Sequence, residues 1–294
     1  MKQDERQITL DSIPGMGMTL AKAATTRKKK QREPESLPLA IFVNGVRADA
    51  SKLAKFRSVC GFPETLGLPL TYPHIMAFPL HLQMMLQPEF PFSPVGAVHI
   101  KNRIRQQREI GIDEVMDVSV RLGKTVRVAK GYEITFVTQA RIDGELVWDG
   151  LSVMLVRSAD TSVKQEKQTA NEAQYTDVVT WQLAANKGRE YALASGDFNP
   201  IHLYSLTARV MGFKRQIMHG MWSKSRALAH LLPVDCHWPV SIEVAFKLPI
   251  FLPATVTLLS HSDATGSQFE MRDGKGEKPH LVGDLRMGER NVES

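Results

Sequence analysis

Ile217–Leu248 reads IMHGMWSKSRALAHLLPVDCHWPVSIEVAFKL. Met218, Met221, Trp222, Ser225, Ala229 and Leu232 recur at the spacing of one helix face, with Lys224, Arg226 and His230 off that stripe. This predicts a helix from Met218 to about Leu232, limited by Pro233. From Val240 the pattern changes to strict alternation. Val240, Ile242, Val244, Phe246 and Leu248 share one face, and Ser241, Glu243, Ala245 and Lys247 the other. Downstream, ATVTLLSHSDA (254–264), GSQFEMRDG (266–274) and HLVGDLRMG (280–288) read as short strands separated by Gly and Asp. A helix followed by consecutive strands is an α+β unit, an antiparallel sheet packed on a helix.

Shifting the upstream chain by 142 residues, which lays Ile75-Met76 on Ile217-Met218, repeats this pattern. Leu86 falls on Leu228, Val98 on Val240, Ile100 on Ile242 and Ile104 on Phe246, with no gap. GAVHIKNRI (96–104), EVMDVSVRLG (114–123), KGYEITFVTQARIDG (130–144) and ELVWDGLSVMLVR (145–157) supply the matching strands, and Arg141-Ile-Asp-Gly144 reads as a hairpin turn. The chain therefore reads as a duplicated unit. The polar stretch Ser158–Thr176 lacks apolar periodicity and reads as a linker. Residues 1–36 read as a flexible basic tail, 37–157 as the first unit, 158–176 as the linker and 177–290 as the second unit.

Two units agree with a length of 294 residues, at about 100–200 residues per domain. Residues 1–32 carry eight Lys/Arg against three Asp/Glu, so most of the +6 net charge sits there and the body is close to neutral. The run Arg27-Lys28-Lys29-Lys30-Gln31-Arg32 reads as a solvated tail, which argues against nucleic acid as a partner. The uncharged run between Glu64 and Glu89 is interrupted by Pro69, Pro73, Pro79 and Pro88 and reads as globular, not as an integral membrane segment. Cys60 and Cys236 lack CxxC spacing and read as thiols of a cytoplasmic protein. No HExxH, GxGxxG or GxxxxGK[ST] pattern calls for a metal or organic cofactor.

The chemistry concentrates in Tyr191-Ala-Leu-Ala-Ser-Gly-Asp-Phe-Asn-Pro-Ile-His202. On an unbroken helix, Asp197 and His202 would point about 140° apart. Pro200 fixes its own φ and pushes Asn199 out of the helical region, and Gly196 lets the chain turn after a helix from about Ala184 to Ser195. Such a turn brings carboxylate and imidazole together, a pair suited to acid–base work near neutral pH.

Ser195-Gly-Asp-Phe-Asn-Pro-Ile-His202, then Ala208, then Ile217-Met-His-Gly-Met221, resembles the MaoC-like dehydratases, also called R-specific enoyl-CoA hydratases. Phe246-Lys-Leu-Pro-Ile-Phe-Leu-Pro253 resembles that family's strand after the central helix. The resemblance implies a hotdog fold, doubled here into two tandem helix-wrapped antiparallel sheets that form a pseudo-dimer. It implies reversible hydration of a trans-2-enoyl thioester to the (3R)-3-hydroxyacyl thioester, carried by CoA or acyl carrier protein. Asp197 and His202 would activate one water, Asn199 would position the pair or the water, and the Gly220 N–H would bond the thioester oxygen. His219 is expected to be structural. The implied chemistry uses no cofactor.

The first unit departs from the pattern. At the 142-residue shift Lys55 replaces Asp197, and Ala77-Phe78-Pro79 replaces His219-Gly220-Met221. One active site per chain is expected. Met76, Phe78, Leu82, Met84 and Met85 read as core, and His74, His81 and His99 as structural. Two other readings stay open: a hotdog thioesterase and a non-catalytic acyl-thioester binder. Assembly is open between a monomeric pseudo-dimer and a homodimer.

Overall fold

The computed structural model describes residues 5–26, 28, 38–64, 67–158 and 175–288. The first half builds β2 (Leu39–Val46), α2 (Ala50–Cys60), α3 (Tyr72–Leu86), β3 (Val98–Gln106), β4 (Met116–Val128), β5 (Gly131–Ile142) and β6 (Glu145–Arg157). The second builds β7 (Asp177–Leu183), α4 (Lys187–Ser195), a 3₁₀ turn (Pro200–His202), α5 (Ser205–Val210), α6 (Gly220–Leu231), β8 (Val240–Phe246), β9 (Ala254–Ser262), β10 (Gly266–Asp273) and β11 (Pro279–Met287). Two further elements precede them, β1 (Arg6–Leu10) and α1 (Met16–Thr25).

All strands join one sheet in the order β1-β2-β4-β5-β6-β3-β8-β11-β10-β9-β7. Each half follows the same path: its first strand lies at the outer edge, its second at the inner edge, and its last three run between them. The central helices α3 and α6 pack on their own half's strands. This is the α+β double hotdog implied by the resemblance. The halves meet at the antiparallel β3–β8 pair, where Asn102 lies opposite Val244. Those two residues are 142 apart, the shift that superimposes the halves in sequence. The pseudo-two-fold axis therefore passes between them.

The alternation of Val240–Phe246 is realised as a half-buried strand. Val240, Ile242 and Val244 are buried, and Glu243 faces out. Burying each such side chain contributes about 1.5–3 kcal/mol. The Arg141–Gly144 turn also forms, with positive φ at both Asp143 and Gly144, the conformation a two-residue hairpin of this hand requires. Leu82, Met84 and Met85 join the core, with Met76 and Phe78 packed against it.

Three expectations are corrected. The first 36 residues are not a flexible tail throughout. β1 pairs in parallel with β2, and α1 packs on α3. Ile8, Leu10, Ile13, Met16 and Leu20 pack against the core, a short apolar set that the surrounding charge and GMGM obscure. Of the basic run only Lys28 lies within the described residues, and it donates to the carbonyls of Gln87 and Phe90. The proposed linker lies outside them except for Ser158, Tyr175 and Thr176.

The second correction concerns Lys55. Both α2 and α4 end on a left-handed glycine, Gly61 and Gly196. These are 135 residues apart, not 142, so the second half carries seven more residues between that glycine and the Gly220 position, whose counterpart is Phe78. The counterpart of Asp197 is therefore Phe62, buried and stacked on Phe56, and no carboxylate stands there. The third concerns Lys224, which the helical spacing places off the buried stripe and the structure buries completely.

Candidate active site

The catalytic stretch is folded by its own short-range bonds. Gly196, at φ 78°, turns the chain out of α4 and donates to Ala192 O at 2.8 Å. Ser195 Oγ donates to Tyr191 O and accepts from Asp197 N–H at 3.2 Å. Asp197 Oδ1 accepts from Asn199 N–H at 3.1 Å, and Asn199 Oδ1 accepts from Ile201 N–H at 3.4 Å. Consecutive Asx-type bonds thus wind the chain into the 3₁₀ turn that ends on His202. Asn199 spends its side-chain oxygen on this turn, so its structural effect is to aim His202.

The segment before α6 closes the site. Ile217 N–H donates to Ile201 O at 3.0 Å, and His202 Nδ1 lies 2.8 Å from Ile217 O. A carbonyl only accepts, so Nδ1 carries the proton and the neutral ring keeps its lone pair on Nε2. His219, at the N-cap of α6, stacks on His202 with ring centroids 3.6 Å apart. Its Nε2 donates to Asp197 O at 3.0 Å and so holds the backbone of that aspartate; Asp197 Oδ2 lies 3.8 Å away, beyond hydrogen-bond range. An Asp197 carboxylate oxygen and one ring nitrogen each of His202 and His219 lie within 4.8 Å of one another.

Burial raises the Asp197 carboxyl above its ordinary range, against the pull of His202 and the Asn199 amide. Burial also lowers the His202 imidazole, against Asp197 and the Ile217 carbonyl. Burial thus moves both groups toward their uncharged forms. The Asp197 side chain keeps 20% exposure, so solvent reaches it.

Gly220 begins α6, where the amide has no intrahelical acceptor, and among the described residues no partner is recorded for it. A Cβ at this position would lie 3.0 Å from Cδ1 and Cε1 of Phe246. Gly220 itself is exposed. In the first half the helix begins six residues earlier relative to the repeat, at Tyr72. The counterpart of Gly220, Phe78, therefore lies inside α3 with its amide committed to the helix.

Asp197, His202 and His219 each offer one donor atom within 4.8 Å of the others, a spacing that a metal ion could use. Each imidazole commits one nitrogen to a carbonyl, and the stacked rings, 24° apart, aim their lone pairs along nearly parallel planes. The same hydrogen bonds leave His202 Nε2 available for proton transfer.

Sequence reasoning brought Asp197, Asn199, His202 and Gly220 together, and the structure gathers them at one end of α6. It treated His219 as structural. His219 stacks on His202 and donates to the Asp197 carbonyl, contacts compatible with that reading, and its signal is the His-Gly dipeptide read together with the motif 22 residues upstream.

Residues 159–283 match the MaoC-like domain family. The chain is 28% identical over 251 residues to 3-hydroxyacyl-thioester dehydratase X of Mycobacterium tuberculosis, covering 84% of this chain and 88% of that protein. The crystal structure of HtdX from M. tuberculosis aligns with a TM-score of 0.74 at 26% identity, over 85% of this chain and all of that one (100%). A MaoC-like dehydratase from Phytophthora capsici shares the fold at 18% identity, with a TM-score of 0.71 over 87% of this chain and 96% of that one. An acyl-ACP thioesterase from Bacteroides thetaiotaomicron shares it more distantly, at 8% identity and a TM-score of 0.52, over 85% of this chain and 98% of that one. The fold alone therefore does not choose the reaction. Residues 159–283 thus carry a MaoC-like domain on a double-hotdog frame, and over most of its length the chain is similar to a 3-hydroxyacyl-thioester dehydratase.

Proposed function

We propose that the protein catalyses reversible addition of water to a trans-2-enoyl thioester, giving the (3R)-3-hydroxyacyl thioester, with one active site per chain. The observation that carries this reading is the unprotonated Nε2 of His202 beside the Asp197 carboxyl, at the end of α6 where the Gly220 amide is free. The named dehydratase relative supports it. In this reading the catalytic unit spans residues 177–290, and residues 37–157 complete the pseudo-dimer without a second site. The two free thiols fit a cytoplasmic setting. Among the described residues no helix is long and apolar enough to cross a membrane.

Water binds between Asp197 and His202. His202 Nε2 takes a proton as the water oxygen bonds to C3 of the enoyl group. The electron pair of the C2–C3 double bond shifts toward the thioester, whose oxygen gains negative charge. The Gly220 N–H donates to that oxygen, aided by the positive end of α6. Delivery of a proton to C2 from the Asp197/His202 pair completes the addition, and dehydration reverses each step. Acid–base assistance contributes about 10²–10⁴-fold, and the preorganised amide about 10²–10³-fold.

The test is purified protein with crotonyl-CoA and longer trans-2-enoyl thioesters, on CoA and on acyl carrier protein. Loss of enoyl absorbance without thiol release, with (3R) product on chiral analysis, is the expected result. Thiol release would show a thioesterase, and no change would show a binder.

A further inference from the structure

The side chain of Lys224 is wholly removed from solvent. Its Nζ donates to Asn102 O at 3.1 Å, Asn102 Oδ1 at 2.5 Å and Ile242 O at 3.1 Å. Asn102 Nδ2 donates in turn to Ser152 Oγ at 3.1 Å and Leu151 O at 3.4 Å, which fixes Oδ1 toward the lysine. Three acceptors match the three protons of an ammonium. Burial pushes this group toward the neutral form and Glu243 pulls it back. The three acceptors favour the cation.

The repeat supplies an internal comparison. At the 142-residue shift Leu82 stands in the place of Lys224, and Val244 in the place of Asn102. The first half fills the helix position with an apolar residue, and the facing strand position of the second half is apolar too. Packing this fold does not require a buried ammonium, and an apolar pair is often at least as stable. The ammonium occurs on the helix that presents Gly220, four residues or about 6 Å of helix rise behind it. A charge fixed there, in surroundings of low dielectric, adds to the positive end of the helix.

We propose that Lys224 is a positioning residue for the hydration reaction, holding a fixed positive charge behind the Gly220 amide that stabilises the developing enolate oxygen. Lys224 touches neither water nor thioester; it acts through α6 and through its field. The inference rests on the enoyl-thioester reading of the site.

The test compares wild type, Lys224→Met and the double variant Lys224→Leu/Asn102→Val, whose residues copy the apolar ones found at the equivalent positions. Each is assayed by loss of enoyl absorbance and by thermal unfolding. Lys224→Met is expected to lose both Tm and kcat, because it strands the Asn102 oxygens. The double variant is expected to regain wild-type Tm while kcat stays about 10-fold down and KM within about twofold. A double variant with wild-type kcat overturns the proposal and leaves Lys224 a packing device. Asn102→Asp puts the same question without moving the lysine, since its carboxylate cancels the charge. A similar fall in kcat is expected, and unchanged kcat in that folded variant overturns the proposal as well. Wild type that turns over no enoyl thioester overturns the reading of the site itself, and this inference with it.

Discussion

The imidazoles of His202 and His219 stack face to face with centroids 3.6 Å apart, yet hold their protons on opposite ring nitrogens. His202 donates through Nδ1 to Ile217 O, and His219 through Nε2 to Asp197 O. His219 thereby fixes the plane of the base and the backbone of the acid from the N-cap of the helix that presents Gly220. His219→Gln is expected to lower kcat about 10–100-fold, with KM changed much less, as for other groups that orient a reacting side chain. Steady-state kinetics with a saturating enoyl-CoA measures this. A wild-type kcat would return His219 to a purely structural role.

The pH profile follows from the site electrostatics. The reaction needs neutral His202, and burial lowers that imidazole from its ordinary 6.5. A base with a lowered pKa stays competent to lower pH and fails only when protonated. The acid limb of kcat/KM is therefore expected below pH 6.5, with full activity at neutrality. An acid limb midpoint above that value would show that His202 is not the base.

Gly220→Ala tests the amide. The added Cβ would meet the Phe246 ring at 3.0 Å, which forces the ring or the helix end to move. A loss of about 10²-fold in kcat is expected. Phe246→Leu in the same chain clears the contact and is expected to restore part of it. Equal activity of Gly220→Ala and wild type would show that the amide is not used.

The first half predicts an acid sensitivity. His74, His81 and His99 form a ring cluster, with centroids 5.5 Å and 5.8 Å from His74 to the other two. Burial lowers His81 to about 4 and His99 to about 3, and His74 well below its ordinary value. The unfolded chain, near 6.5, then binds more protons than the folded one between these values and 6.5. Stability is full above 6.5 and falls as the pH drops through that window. At pH 5 each fully buried histidine costs about 2 kcal/mol. His81→Gln keeps a polar group near Thr138 Oγ1, now 2.7 Å from Nε2, and removes one titration. Its denaturation midpoint is expected to fall less steeply from pH 7 to 5 than that of wild type. Parallel curves would refute the linkage.

The sequence made legible what is encoded locally. Val240–Phe246 alternates because one face is buried, Asp143-Gly144 turns because both need positive φ, and Asp197–His202 curls through bonds spanning two residues. The 142-residue shift of the repeat matches the Asn102–Val244 pair found at the junction of the halves. The missed features depend on distant partners. The burial of Lys224 needs Asn102, 122 residues away. Strands β1 and β7 are edge strands whose exposed faces weaken the apolar pattern. The seven additional residues between Gly196 and the Gly220 position leave no local mark, so an ungapped shift assigned Lys55 where Phe62 stands.

The most direct measurement is turnover of enoyl-CoA by Asp197→Asn and His202→Ala, each checked for an unchanged circular dichroism spectrum. Both are expected to lose at least about 100-fold in kcat while remaining folded. Near-wild-type hydration by either folded variant would contradict the assignment of this pair as the acid and base.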